Sequence, residues 1–426
     1  MFQPSRSTLA RIKAALFCSL AVVLVTLCAP GRAQVIAPPP LPPEPAFPKL
    51  FPKYSGVNGY EDLVIAGDLL LGNEAFKAAQ EPNATLKIMR KALEDTNVDR
   101  ALQSFHSGLE KPIQSPRDPN KLDENTLLPE YSEFRNVARL LAIQEHVALA
   151  DGQVSKAIDT MRDGLRFGYV VQSDTLLGGL VGIAIDAIIL QKFALHFDQM
   201  ALRDCIHVTA VAQEWLKQPS RAEVVLSLEH RSLQNMLDGW KNDPERFRTM
   251  VKLQQPKDPP ASDADLAAIE LSEYVNSGAA AIPAMLEQVR AMAETGDRAL
   301  ILEMRKPVWQ RKPVRKIETR ATMAARLYGM VTPSYSQALG RFDTEIAQIH
   351  LLGVHGAIRR FRWENNRLPS SLTELNLPLL TTDPFTGGLL SYKMAGDSYE
   401  LSSAGPSDSG DSGAATGPVY LPRKPN

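Results

Sequence analysis

One apolar stripe near the C-terminus dictates much of the architecture. Tyr335, Leu339, Phe342, Ile346, Ile349, Ala357, Ile358 and Phe361 follow one another at steps of mostly three or four, the period of one helical face. Thr332-Pro333 offers an N-cap and a first helical residue at one end. Asn365-Asn366 offers a left-handed cap at the other. A helix is therefore expected from Thr332 to about Glu364. A stripe of that length needs partner helices to cover it.

The preceding chain supplies them. From about Asp62 to Thr332 nearly every periodic segment reads as helix. Leu127 to Ala150 carries Phe134, Val137, Leu140, Leu141 and Ile143 on one face, and Asp151-Gly152 breaks it. Val154 to Tyr169 continues with Ile158, Met161, Leu165 and Phe167. A short Gly-containing turn between two such helices makes an αα-hairpin. There is no clear second copy at a 34-residue period, so a tetratricopeptide array is not expected. Thr175 to Leu190 is the most apolar segment after residue 33 and contains Gly178, Gly179, Gly182 and a single charge, Asp186. It reads as a central core helix. Gly178 and Gly182 lie one turn apart, where another helix can approach closely. A lone buried carboxylate is costly, so Asp186 is expected at the edge of the core or paired with a cation. Further helices are expected at Leu202–Lys217, Arg221–Trp240, Asp263–Val275 and Ile282–Met304, with Lys252 to Pro260 as a proline-rich loop.

The first 33 residues read as a targeting segment. Arg6, Arg11 and Lys13 precede an uncharged apolar run, Ala14 to Ala29, and Gly31-Arg32-Ala33 places small residues for cleavage before Gln34. The run is shorter than a comfortable bilayer span of about 20 residues. A cleaved signal peptide is expected, with an uncleaved anchor as the alternative, and no membrane span thereafter. The expected location is periplasmic or secreted. Residues 34–426 carry 43 basic and 48 acidic side chains, a net of −5, which is no nucleic-acid footprint. Cys205 alone remains after residue 33, so no internal disulfide is expected. It reads as a small buried apolar side chain rather than a reactive thiol. Residues 34–56, with Pro38 to Pro40, Pro42, Pro43, Pro45, Pro48 and Pro52, form an extended spacer.

Beyond the long helix the pattern changes. Ser371-Leu372-Thr373-Glu374 has capping-box spacing for a short helix. Leu389–Met394 and Ser398–Ser402 alternate as a β-hairpin around Ala395-Gly396-Asp397. After Gly405 the chain is Gly, Ser, Pro and Asp, a tail. The order of long helix, NRLPSSLTEL, TDPFTGG and SSAGPSDSGD, over about Ala338 to Asp411, resembles the globular part of type II secretion major pseudopilins. That resemblance implies a helical spine with a small sheet folded against its C-terminal half. It also implies calcium at the late acidic loop, here Asp408 and Asp411. Two carboxylates supply only part of the roughly six to eight oxygens that calcium takes, so the site is weak. The family's leader and Glu-bearing membrane helix have no counterpart, which argues against assembly into a pilus by the usual route. The remainder looks like large exported bacterial helical proteins.

The chain carries no HExxH helix, Walker A loop or GxSxG elbow. His350 and His355 stand five apart, on different faces of one helix, and make no metal pair. Arg305, Lys306, Arg311, Lys312, Arg315, Lys316, Arg320 and Arg326 cluster around Trp309, with Glu318 as the one opposing acid nearby. Two readings stand: a solvated basic connector, or an anionic surface site centred on Arg311, Lys312, Arg315 and Lys316.

The expected fold is mostly α: a signal peptide (1–33), a Pro-rich linker (34–56), a helical domain of αα-hairpins (57–331), a small α+β pseudopilin-like module (332–403) and a flexible tail (404–426). The expected function is non-catalytic, an envelope binding or scaffold protein with a protein partner, linked to secretion or pilus-like machinery. The expected cofactor is none beyond calcium. The alternative is an envelope hydrolase with its site in the helical domain. A polar cleft around Asp186 with a nearby His or Arg would favour the enzyme, and a shallow apolar surface the binding module.

Overall fold

The computed structural model describes residues 47–118, 120–122, 126, 128–253, 263–277, 281–312, 322–332, 335–406 and 417–421. The expected signal segment and most of the expected Pro-rich spacer lie outside these residues. The described chain is mostly helical with one small β-hairpin. Four short helices open it: α1 (Tyr60–Asp68), α2 (Glu74–Gln80), α3 (Leu86–Leu93) and α4 (Thr96–Leu109). Polar caps start three of them. Asn73 accepts from Phe76 N, Thr85 from Ile88 N, and Asp95 from Asn97 N and Val98 N.

The expected hairpin follows as α5 (Glu130–Ala150) and α6 (Val154–Val171), turned by Gly152 at φ +72°. Next comes α7 (Leu176–Phe193), which continues into a 3-10 turn over Ala194–Gln199. With that turn, Leu176–Gln199 is 24 residues long and apolar enough to cross a membrane by composition. Here, however, more than half of it is buried in the protein core. Then follow α8 (Leu202–Leu216), α9 (Arg221–Asn242), α10 (Pro244–Leu253), α11 (Asp263–Ser277), α12 (Ile282–Met304), α13 (Met323–Val331) and the long α14 (Tyr335–Asn365). A 3-10 turn (Leu372–Leu375), α15 (Pro378–Thr381) and the hairpin β1 (Ser391–Ala395) and β2 (Ser398–Ser402) complete the order. The strands pair antiparallel, from Ser391 opposite Ser402 to Ala395 opposite Ser398.

The long helix behaves as its stripe requires. Its most extensive partner is α8, and it also packs on α7. Ala347, Ile349, Leu351, Leu352, Val354 and Ile358 share one core with Val208, Val211 and Ala212 of α8, with α5 to α7, and with Leu380, Tyr399 and Leu401 of the C-terminal segment. A second core joins α9 to α13 around Trp240, Phe247, Leu271 and Val289. Leu176, Val225, Leu226, Met304, Leu339 and Phe342 form a smaller cluster between the two. The described residues from Phe47 onward form one compact unit.

Three local details differ from expectation. Thr332 closes α13 rather than opening α14: its Oγ1 donates to Tyr328 O at 2.6 Å. Ser371 makes no cap bond, and Glu374 accepts instead from Ser370 N, one residue earlier than the capping-box spacing places it. Part of the expected tail returns to the fold. Val419 pairs with Ser403, and Val419 and Leu421 are buried, because an apolar pair beside a free strand edge gains both hydrogen bonds and burial.

Candidate functional site

The site begins with a close approach between two helices. Gly168 of α6 and Gly182 of α7 face each other. A Cβ on Gly182 would strike the Gly168 carbonyl oxygen, and one on Gly168 would strike Asp186 Oδ1. This approach seats Asp186 against bare backbone, 1% exposed. Among the described residues neither Asp186 oxygen meets a donor other than the carboxyl group of Glu345. Its neighbour is Glu345 of α14, also buried. Gln172, just past α6, donates Nε2–H to Glu345 Oε1 at 2.6 Å. The expected cationic partner of Asp186 is thus a second carboxyl group. Burial raises both pKa values, Glu345 to about 8, and the two acids bind protons in competition. At neutral pH the pair is held together by protons rather than by a cation.

Glu345 and Gln172 also line a cavity of about 570 Å³. Its walls come from the end of α6 (Tyr169), the end of α8 (Trp215, Leu216), the start of α9 (Ser220, Arg221), the residues after α12 (Arg305 to Trp309, and Arg311), α14 (Phe342, Ile346, His350) and α15 with its following turn. The volume and the mostly apolar lining with few polar groups are those of a small-molecule site. Two contacts fasten its walls. Trp309 lies against the bare Cα face of Gly387 (φ +70°), where an added Cβ would sit 2.7 Å from the indole. Glu214 of α8 accepts from Leu50 N and Phe51 N at 2.7 and 3.1 Å, with Phe51 edge-on to Tyr169, so the last part of the expected 34–56 spacer is strapped onto the body rather than extended, because Leu50 is buried there.

The electrostatics of the lining are specific. His350 Nδ1 must donate to Leu380 O at 2.9 Å, which leaves Nε2 bare in the neutral ring. Burial pushes its pKa down. Arg305 pairs with Glu223 at 2.7 Å, Lys306 with Glu303 at 2.5 Å, and Arg311 with Asp343 at 2.6 Å. Arg221 differs. Its guanidinium lies 4.0 Å from the Tyr169 ring centroid, its Nε is buried without a partner, and it has no carboxylate partner among the described residues.

The basic cluster of the sequence is therefore split. Arg311 lies in the cavity wall in an ion pair, and Lys312 is exposed, its backbone N–H donating to Glu303. Arg315 and Lys316 lie outside the described residues, as do Asp408 and Asp411 and with them the calcium expectation. Among the described residues no group of three or more His, Cys, Asp or Glu side chains is placed to hold a metal. His355 is buried against Tyr399 Oη at 2.8 Å, away from His350. Cys205 is fully buried, its thiol pushed up to about 11 by burial. Asp383, in the TDPF turn, accepts from Phe385 N, Ser403 Oγ and Ala404 N and ties that turn to the end of β2.

Sequence reasoning missed Glu345, Gln172 and Arg221 as site residues. Glu345 carried a readable signal: it falls three residues after Phe342 and four before Ile349, an acid inside the apolar stripe. No protein-family model, curated protein or solved structure matches this chain.

Proposed function

We propose that the chain is an exported envelope protein that captures a ligand in the cleft between α6, α8, α9 and α14, a binding rather than a catalytic role. The carrying observation is the cavity of about 570 Å³, concave and mostly apolar, with a few converging polar groups. The Pro-rich linker would hold this body away from its export site. The pseudopilin-like order of the C-terminal segment supports a position near secretion machinery. The test is native mass spectrometry of the full chain purified from its own cells without denaturation. A reproducible small-molecule adduct, released on unfolding, is the expected result. A ligand-free mass, with no adduct formed on incubation with an envelope extract, would contradict the reading.

One observation favours the hydrolase as a second reading. Glu345, protonated at neutral pH, and His350, neutral there, line the same cavity. A carboxylic acid and an imidazole base kept apart in pKa are what general acid–base chemistry requires. Hydrolysis of activated esters or glycosides by the wild type, lost in both Glu345→Gln and His350→Gln, would replace binding with catalysis.

A further inference from the structure

We infer that the cleft selects an amphiphilic oxyanion, a carboxylate on an apolar body, with Arg221 as its anchor. The inference rests on the binding reading above and narrows its ligand.

Three of the four cations that line the cavity are already neutralised by Glu223, Glu303 and Asp343. Arg221 is not. Its guanidinium stacks on Tyr169, and its Nε is buried without a hydrogen-bond partner. Arg221 is half-buried; a partly desolvated guanidinium without a counter-charge among the described residues carries a cost that an incoming anion removes. The fork of N–H groups suits a planar carboxylate, which it can hold in two parallel bonds. Arg221 is also the first residue of α9, a 22-residue helix capped by Ser220, so the positive end of the helix lies beside the same space. Glu345, the one acid among the described lining residues, is neutral until about pH 8 and does not repel the ligand. The remaining wall includes Trp215, Leu216, Met304, Val308, Trp309 and Phe342. It offers apolar surface and only a few polar groups, which fits a ligand that is charged at one end and apolar along its body.

The test uses the full chain and the fluorescent anion 1-anilinonaphthalene-8-sulfonate as reporter. Decanoate, 1-naphthoate, decanol and decylamine then compete for it. Decanoate or 1-naphthoate should displace the reporter at concentrations about tenfold or more below decanol and decylamine, and which of the two acids wins separates an acyl from an aromatic ligand. Arg221→Gln should weaken acid binding by about tenfold or more while leaving decanol unchanged. Should that variant fold poorly, the competition series on the wild type decides alone. Equal displacement by acid and alcohol would overturn the anion inference and leave the cleft reading standing. Failure of every compound, reporter included, to bind the folded protein would overturn both.

Discussion

Replacing Asp186 with Asn should stabilise the protein more at pH 8 than at pH 5. In the native state Glu345 holds its proton up to about pH 8, against 4.5 in the unfolded chain. A carboxyl group raised in this way contributes stability that is full below pH 4.5 and is lost as pH rises through about 8, because the unfolded chain releases the proton first. Each pH unit in that window costs about 1.4 kcal/mol for one proton, so the native state loses roughly 5 kcal/mol across it. Asp186 is raised in the same direction by burial and by Glu345. The Asp186→Asn amide donates to Glu345 at every pH, where the Asp186 carboxyl can donate only while protonated, so Glu345 can ionise in place. A hydrogen bond to a charged group contributes about 1.5–3 kcal/mol, and the variant should exceed the wild type by roughly 2 kcal/mol at pH 8. Urea unfolding of the full chain, followed by far-UV circular dichroism at both pH values, measures this. Other buried acids such as Glu145 and Glu229 add slope of the same sign, but they are common to both proteins and cancel in the comparison. A wild-type-minus-variant difference that does not change between pH 5 and 8 would refute the reasoning.

The remaining predictions concern neighbouring contacts. Gly387→Ala combines a left-handed φ of +70° with a Cβ 2.7 Å from the Trp309 indole. It should destabilise by about 1–2 kcal/mol and shift tryptophan emission to the red as Trp309 is displaced; unchanged emission would contradict the contact. Asp383→Ala removes the acceptor for Phe385 N, Ser403 Oγ and Ala404 N. It should cost roughly 3 kcal/mol in urea unfolding, and a loss below about 1 kcal/mol would show that these bonds are replaced. His230 bonds to Asp297 at 3.0 Å, which with Glu294 raises its pKa above 6.5. The wild type should therefore be more stable than His230→Gln below pH 6.5, and the advantage should fade as pH rises through the elevated value. An advantage that grows with pH in parallel unfolding curves would reverse the assignment.

What could be read from the sequence was what repeats along it. The stripe from Tyr335 to Phe361 placed α14 to within a few residues, and Asn366 takes the left-handed conformation at φ +53° that the Asn365-Asn366 pair suggests. The ends of α7, α8 and α12 follow the apolar periodicity, and the hairpin forms around Gly396. Partners distant in sequence were not legible. Asp186 called for a counter-charge by the rule for lone buried acids, and found Glu345 159 positions later. The basic cluster around Trp309 looked nearly unopposed because only Glu318 stands among it, yet Glu303, Asp343 and Glu223 reach it from α12, α14 and α9. Arg221 resembled any first-turn arginine. Its significance comes from Tyr169 beneath it and from the lack of a carboxylate partner among the described residues, which only packing decides.

The place where a ligand sits on the protein is the decisive observation. Hydrogen–deuterium exchange of the full chain, with and without saturating decanoate, addresses this directly. Slower exchange confined to residues 169–172, 215–221, 304–311, 342–350 and 378–384, the segments that line the cavity, is the predicted result. Protection elsewhere, or none while decanoate is bound, would contradict the assignment of the cleft.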